Sequence, residues 1–374
     1  MKRLFYISIL IFSSTAIFKS QYNEDVFKKA LASVYENPDN TLKLGQQMLK
    51  NEKDPDHIIK LYKLISHAYI SKRDFDKSLD WVLKMKELSK TFTNPEQKIK
   101  VLNAVAIQYH NMGLHAKTME SLDEYYKLCK DLPEGKFKTL YLGLNSTIRG
   151  LVYKNQNNNE LALEKLLIAL DYLRKVGNYD NSIPNSSVIL YNIGYCYFYL
   201  NKNNEAEKYF KESADVARSV HAESLEAFAY KGLAEIYTTQ GKHHEAIGLL
   251  KKAVNLSKKV GDLVLSEGIS KGFADNYLAL QDWNNYEVYN KQYIETKFAR
   301  EQSELASLNK SIDVLNAENN QKLAEQKTKS NIINLIIIFL SVLTSSYLII
   351  RLIKNRKNNK LLTEELNQIN KIVA

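Results

Sequence analysis

Apolar and small residues recur along this chain in a pattern that repeats about every 40 positions. The plainest copy is the stretch from Tyr230 to Val254, where Ala234 stands three residues before Tyr237 and Gly241 four after it. Ala246 and Ala253 follow at nine and sixteen. Two helices joined by a tight turn are predicted. Ala234 and Ala246 would lie where the helices cross, because only a small side chain lets two backbones approach. Gly241 would supply the positive-φ residue that ends the first helix. The same spacing returns at Tyr69, Tyr109, Tyr153, Tyr197, Tyr237 and Tyr277, in steps of 40, 44, 44, 40 and 40 residues. Before each aromatic anchor, at minus three, stand Ser66, Ala106, Gly150, Gly194, Ala234 and Ala274. At plus nine stand Ser78, Thr118, Ala162, Ala206, Ala246 and Tyr286, small in every copy but the last.

This spacing resembles the tetratricopeptide repeat, a helical-pair interaction module. The step exceeds that repeat's usual length of about 34 residues, so helices longer by a turn or two are expected. The resemblance covers residues 22–300, most strongly in the fourth and fifth copies, and is similar to the long-helix arrays of bacterial regulators. Residues 24–52 read as a divergent first pair: Val26, Ala30, Leu31, Val34 and Tyr35 keep helical spacing before Asn37-Pro38-Asp39 breaks it, and Asp39 or Asn40 can cap the next helix. A divergent end repeat fits a solenoid, since it has a neighbour on one side only.

Beyond the repeats the pattern changes. From about Asn284 to Ser330 there is neither Pro nor Gly, which predicts one long helix. Within it Leu305, Leu308, Ile312 and Leu315 step by three and four, with Asn319 at the next seam position. Such a seam predicts a parallel coiled-coil stalk and a homodimer through it; a capping helix folded back on the solenoid is the alternative. Ile332–Ile350 then runs 19 residues without a charge, about 28 Å as a helix and close to a hydrocarbon core. In the tail, Leu362, Leu366, Ile369 and Val373 step as the opening heptads of another coil. The tail is too small to fold alone, and its basic part could hold anionic lipid headgroups.

Charge supports a membrane topology rather than a nucleic-acid partner. The net charge of +10 sits largely outside the body: Lys2, Arg3 and Lys19 precede it, and Lys327 and Lys329 stand before the apolar run. Arg351, Lys354, Arg356, Lys357 and Lys360 follow that run at once. Residues 21–326 are nearly neutral. The positive-inside rule places the C-terminus in the cytoplasm. Met1–Arg3 followed by the apolar Leu4–Phe18 reads as a secretory signal peptide with cleavage near Ser20/Gln21, or else as an uncleaved anchor. A cleaved leader puts the N-terminus outside, which agrees with the positive-inside rule, so the repeats would face the extracytoplasmic, periplasmic side of the inner membrane.

The expected organisation is therefore all-α: a signal peptide at 1–20, a tetratricopeptide-type helical-pair solenoid at 21–300 and a coiled-coil stalk at 301–330. One transmembrane helix at 331–350 and a short basic cytoplasmic tail at 351–374 complete it. The layout resembles bacterial membrane-anchored tetratricopeptide regulators, without their helix-turn-helix or histidine kinase output domain.

The resemblance implies that the first helix of each pair lines a concave groove, at six and two residues before the anchor and one after. In the fourth copy these are Tyr191, Tyr195 and Phe198, with Tyr199 beside them; neighbours add Leu151 and Lys154 in the third and Lys231 and Glu235 in the fifth. An aromatic patch edged by charge suits a peptide or protein partner, while packing between repeats is the competing role for the same rings. No catalytic constellation stands out. His243-His244 lies at a turn with no further ligand at metal-like spacing, and Cys129 and Cys196 sit in different repeats. No enzyme activity, cofactor or metal is expected. The leading function is a membrane-anchored docking module, and the alternative a receptor that relays docking through stalk and tail to a separate effector.

Overall fold

The computed structural model describes residues 22–34, 37–179, 182–258 and 262–373. The predicted signal peptide and its cleavage site lie outside them, as does Tyr35. Fourteen helices and no strand occur among the described residues. They pair in sequence: α1 (Glu24–Ala32) with α2 (Pro38–Leu49), α3 (Pro55–Ser71) with α4 (Phe75–Ser89), and α5 (Pro95–Asn111) with α6 (His115–Asp131). Then come α7 (Lys136–Asn155) with α8 (Asn159–Val176), α9 (Ser182–Tyr199) with α10 (Asn203–Ser219), and α11 (Glu223–Thr239) with α12 (His243–Ser257). Finally α13 (Leu263–Ala279) pairs with the start of α14 (Trp283–Val373). The chain is an all-α helical-repeat solenoid, and the 44-residue steps coincide with its longest pair, α7 and α8, at 20 and 18 residues.

Local chemistry starts the helices where the sequence allows it. Asn23, Asp54, Asn94, Asn158 and Asp262 each accept hydrogen bonds from the first-turn amides, and Pro55 and Pro95 occupy the first helical position. For α2 the cap differs from expectation. Asn37, not Asp39 or Asn40, accepts from the Asn40 amide, because Pro38 already stands at the first helical position and places Asp39 and Asn40 inside the helix.

Six turns share one geometry. Four residues after each anchor stand Arg73, Gly113, Asn157, Asn201, Gly241 and Gln281, all with φ between 58° and 73°. The amide five after the anchor donates to the anchor's carbonyl at 2.9 Å in all six, and the amide four after donates to the carbonyl one after at 2.8–3.1 Å. This is the paired closure of a Schellman motif, made by backbone alone. Only two of the six copies place Gly there, so glycine in the sequence marked just part of the series.

Small residues sit at the helix crossings. Ala106, Ala162, Ala206, Ala234 and Ala246 are essentially inaccessible. In the first copy the crossing is polar: Ser66 and Ser78 hydroxyls lie 2.8 Å apart. Phe210 of α10, fully buried, wedges between α9 and α11; a Cβ added at Gly194 or Gly232 would come within 2.8 and 2.5 Å of its ring. The first part of α14 behaves as the second helix of the last pair, with Tyr289 stacked on Phe273 at 4.3 Å.

The chain divides into a compact unit up to Lys310 and a second from Ser311. The second is the remainder of α14, and the stretch 319–367 is long and apolar enough to cross a membrane. Throughout Ile332–Ile350 its residues are exposed.

Candidate functional site

The first helices of successive pairs lie side by side, so α9 touches both α7 and α11. All eight residues expected on the inner face are carried by these three helices. Tyr195 is their centre and is only 4% exposed. Its hydroxyl accepts a hydrogen bond from Lys231 Nζ at 2.8 Å, and that ammonium lies 5.0 Å from the ring centre. Lys231 also pairs with Glu235, one turn on, at 2.9 Å. On the other side Lys154 Nζ sits 5.7 Å from the same ring and donates to Asn192 Oδ1. One tyrosine is thus held between an ammonium from each flanking repeat, an arrangement of cation–π type.

The remaining aromatics divide into two roles. Tyr191 packs between repeats, 5.9 Å from Phe210 and 5.5 Å from Phe228, and meets Tyr195 edge-on at 4.8 Å. Tyr199, 55% exposed, lies 5.8 Å from Tyr195 and 5.7 Å from Phe198. Leu151 is half-buried on α7, just before Lys154. Tyr191 and Tyr195 therefore serve packing between repeats, and Tyr199 offers the open ring.

Burial governs the ionisation of this patch. It pulls the Lys154 ammonium down to about 8, and the second positive charge of Lys231 works in the same direction. Lys231 goes the other way: burial opposes its charge, but the Tyr191 hydroxyl and the Glu235 carboxylate outweigh it and its pKa rises. Tyr191 and Tyr195 are raised, first by burial and for Tyr195 next by Glu235. The patch thus holds two ammoniums, Lys231 strongly and Lys154 weakly.

Several contributors had not been picked out from sequence. Asn192 anchors Lys154. Asn276 donates to Thr238 Oγ1 at 2.8 Å and meets His243 Nδ1 at 2.9 Å, which ties α13 to α11 and α12. Gln108 does the same lower in the array, accepting from Ser78 at 2.6 Å and donating to the Phe75 carbonyl at 3.0 Å. A signal for them was present. The residue before the anchor is Ala68, Val152, Cys196 or Ile236 in four copies and an amide, Gln108 or Asn276, in two. A polar group at a core position needs a buried partner.

Among the described residues no group of three or more His, Cys, Asp or Glu side chains is placed to hold a metal ion. Cys129 and Cys196 are buried and unpaired, their thiols pushed up by burial to about 12 and about 11.

Residues 185–259, the stretch from α9 to the end of α12, match the family pattern of the tetratricopeptide repeat. Among solved structures the chain is similar to aspartyl phosphate phosphatase F from Bacillus subtilis, with TM-score 0.52 and 14% identity over 82% of this chain and 92% of that one. It is similar to the apo form of RapI, with TM-score 0.50 and 14% identity over 75% and 98%. The hetero-tetramer of Cut9 and Hcn1 gives TM-score 0.54 and 12% identity, over 79% of this chain and 53% of that one. At these identities the likeness is one of fold. No curated protein sequence matches the chain.

Proposed function

We propose that this chain, a tetratricopeptide-repeat protein and hence a module of the protein–protein interaction class, docks a peptide or partner protein on the face formed by α7, α9 and α11. The observation that carries this is the Tyr195 patch: an exposed aromatic, Tyr199, backed by a ring clamped between Lys154 and Lys231, with Glu235 alongside. Tyrosine brings large contact area, little entropy cost and a polar tip. The clamped backing means little further ordering is needed on binding. Cut9, of like fold, is seen in a hetero-tetramer with Hcn1, which agrees with a partner-holding role.

The reading extends to place. The basic junction after Ile350 and the charged, then apolar, N-terminal leader favour a single span with the repeats outside the cytoplasmic membrane and the tail within. A seam of Leu305, Ile312 and Asn319 favours a parallel homodimer through the stalk. Single cysteines introduced at Tyr199 and Lys360 test the topology: an impermeant maleimide should label the first in intact cells and the second only after lysis. The reverse pattern refutes it.

The docking reading is tested by crosslinking in cells and mass spectrometry on wild type and on Phe198→Ala/Tyr199→Ala, which spares the packed Tyr191 and Tyr195. A partner captured on the extracytoplasmic side and lost in the double variant supports the inner face. Partners that survive and attach only after Arg351 sink it. One observation favours a second reading, a receptor that relays docking to a separate cytosolic effector: α14 is a single helix from the last repeat to Val373. Leu366→Asp/Ile369→Asp should then abolish signalling while leaving docking intact.

A further inference from the structure

A helical-repeat array normally touches only its sequence neighbours, and among the described residues this one departs from that rule where α3 turns into α4. Arg73, the positive-φ residue that turns α3 into α4, is bonded to α14, some 230 residues later. Its guanidinium pairs with Glu304, and its carbonyl accepts from Ser303 Oγ at 2.5 Å. Glu304 also takes Arg300 Nη1 at 2.6 Å, and Arg300 Nε reaches Glu267 of α13 at 2.5 Å. The result is a chain of alternating charge, Arg73–Glu304–Arg300–Glu267, each member no more than 40% exposed. Arg73 is further braced by the Phe75 ring, 4.7 Å from its guanidinium carbon. Isolated surface ion pairs contribute little, but a network with shared, part-buried members holds geometry.

We propose that this chain is a strap that joins the first complete repeat to the helix leaving the last one, and that its closure sets how open the inner face is. Each repeat is rotated slightly against the next, so any change of that rotation summed over the array appears as displacement between the α3–α4 turn and residues 300–304 of α14. With the strap closed the rotation is held, and with it the shielding of Lys154. With the strap open the repeats relax, the half-buried Lys154 becomes more accessible, and α14 is released from the first repeat. This deepens the receptor reading, on which its regulatory meaning rests: the strap is the element through which an event on the repeats reaches the helix.

The test needs no ligand, so it stands or fails apart from partner capture. In the full chain in detergent micelles, Arg73→Lys is treated with a zero-length carbodiimide. A linked peptide joining residues 73 and 304 should form and should be lost in Arg73→Lys/Glu304→Gln. Failure to form it overturns the strap. Lys154 acylation by an amine-reactive reagent at pH 8 is then followed in wild type, Arg73→Glu, Glu304→Gln and Arg73→Lys, with helical content by circular dichroism as a control for folding. Labelling should rise in Arg73→Glu and Glu304→Gln and stay near wild type in Arg73→Lys, which keeps the cation opposite Glu304. Equal labelling in wild type, Arg73→Glu and Glu304→Gln, or labelling in Arg73→Lys as high as in Arg73→Glu, overturns the control of the inner face by the strap.

Discussion

Phe210 reaches Gly194 on one side and Gly232 on the other, and neither contact has room for a methyl group. Because the ring is inaccessible and held from both sides, it cannot move aside. Gly232→Ala should therefore destabilise the protein by about 1–3 kcal/mol, despite alanine's better helix propensity. Thermal unfolding of the single variant measures this, and an unchanged Tm would mean that α11 and α10 are less closely packed than described.

At the same scale, ionisation links the patch to stability. Lys154 is lowered to about 8 in the fold, so between that pH and its ordinary value near 10.5 the unfolded chain binds more protons. Stability should then rise with pH through this window, and Lys154→Met should remove part of the rise. His67 and His110 lie lowered to about 4, chiefly by burial, from an ordinary 6.5. The sign again follows from the unfolded chain holding more protons: their contribution is complete above pH 6.5 and lost as pH falls towards 4. His110→Gln should shallow that acid limb in denaturant titrations at pH 4 to 7.

At the scale of elements, the six turns explain both what the sequence announced and what it hid. Anchors and small crossing residues were legible because packing constrains side-chain volume. The positive-φ position was visible only where Gly113 and Gly241 mark it, since the hydrogen bonds that build the turn belong to the backbone and accept Arg, Asn or Gln at some strain. Gln281→Gly should thus stabilise by a few tenths to about 1 kcal/mol, whereas Gly241→Val should cost about 1–2 kcal/mol. Both are read from urea midpoints. The site was legible to a similar degree. Spacing placed Tyr195, Lys154 and Lys231 on adjacent helices, but it could not say that Tyr195 would be covered by its own partners and Tyr199 left open. That outcome depends on Phe210 and Phe228, which belong to other faces of the repeat unit.

Over the whole molecule, stability should be graded. The pair α1–α2 has a neighbour on one side only, while α7 to α12 are packed from both. Amide exchange should therefore begin in α1 and α2 and be slowest in α8 to α11, a gradient that mass spectrometry of exchanging peptides resolves. Uniform protection would imply a single cooperative unit. The second unit, exposed along its full described length, should exchange faster than α8 to α11.

Solenoid genes ordinarily gain and lose whole units by duplication and deletion, because an added copy merely lengthens the array. The bond between Arg73 and Glu304 removes that freedom here. Taking out or inserting one 40-residue unit would leave every turn intact yet carry the two ends past each other. If the strap holds, copy number is constrained, and a variant with one repeat more or fewer is expected to have changed at Arg73, Arg300 or Glu304 as well.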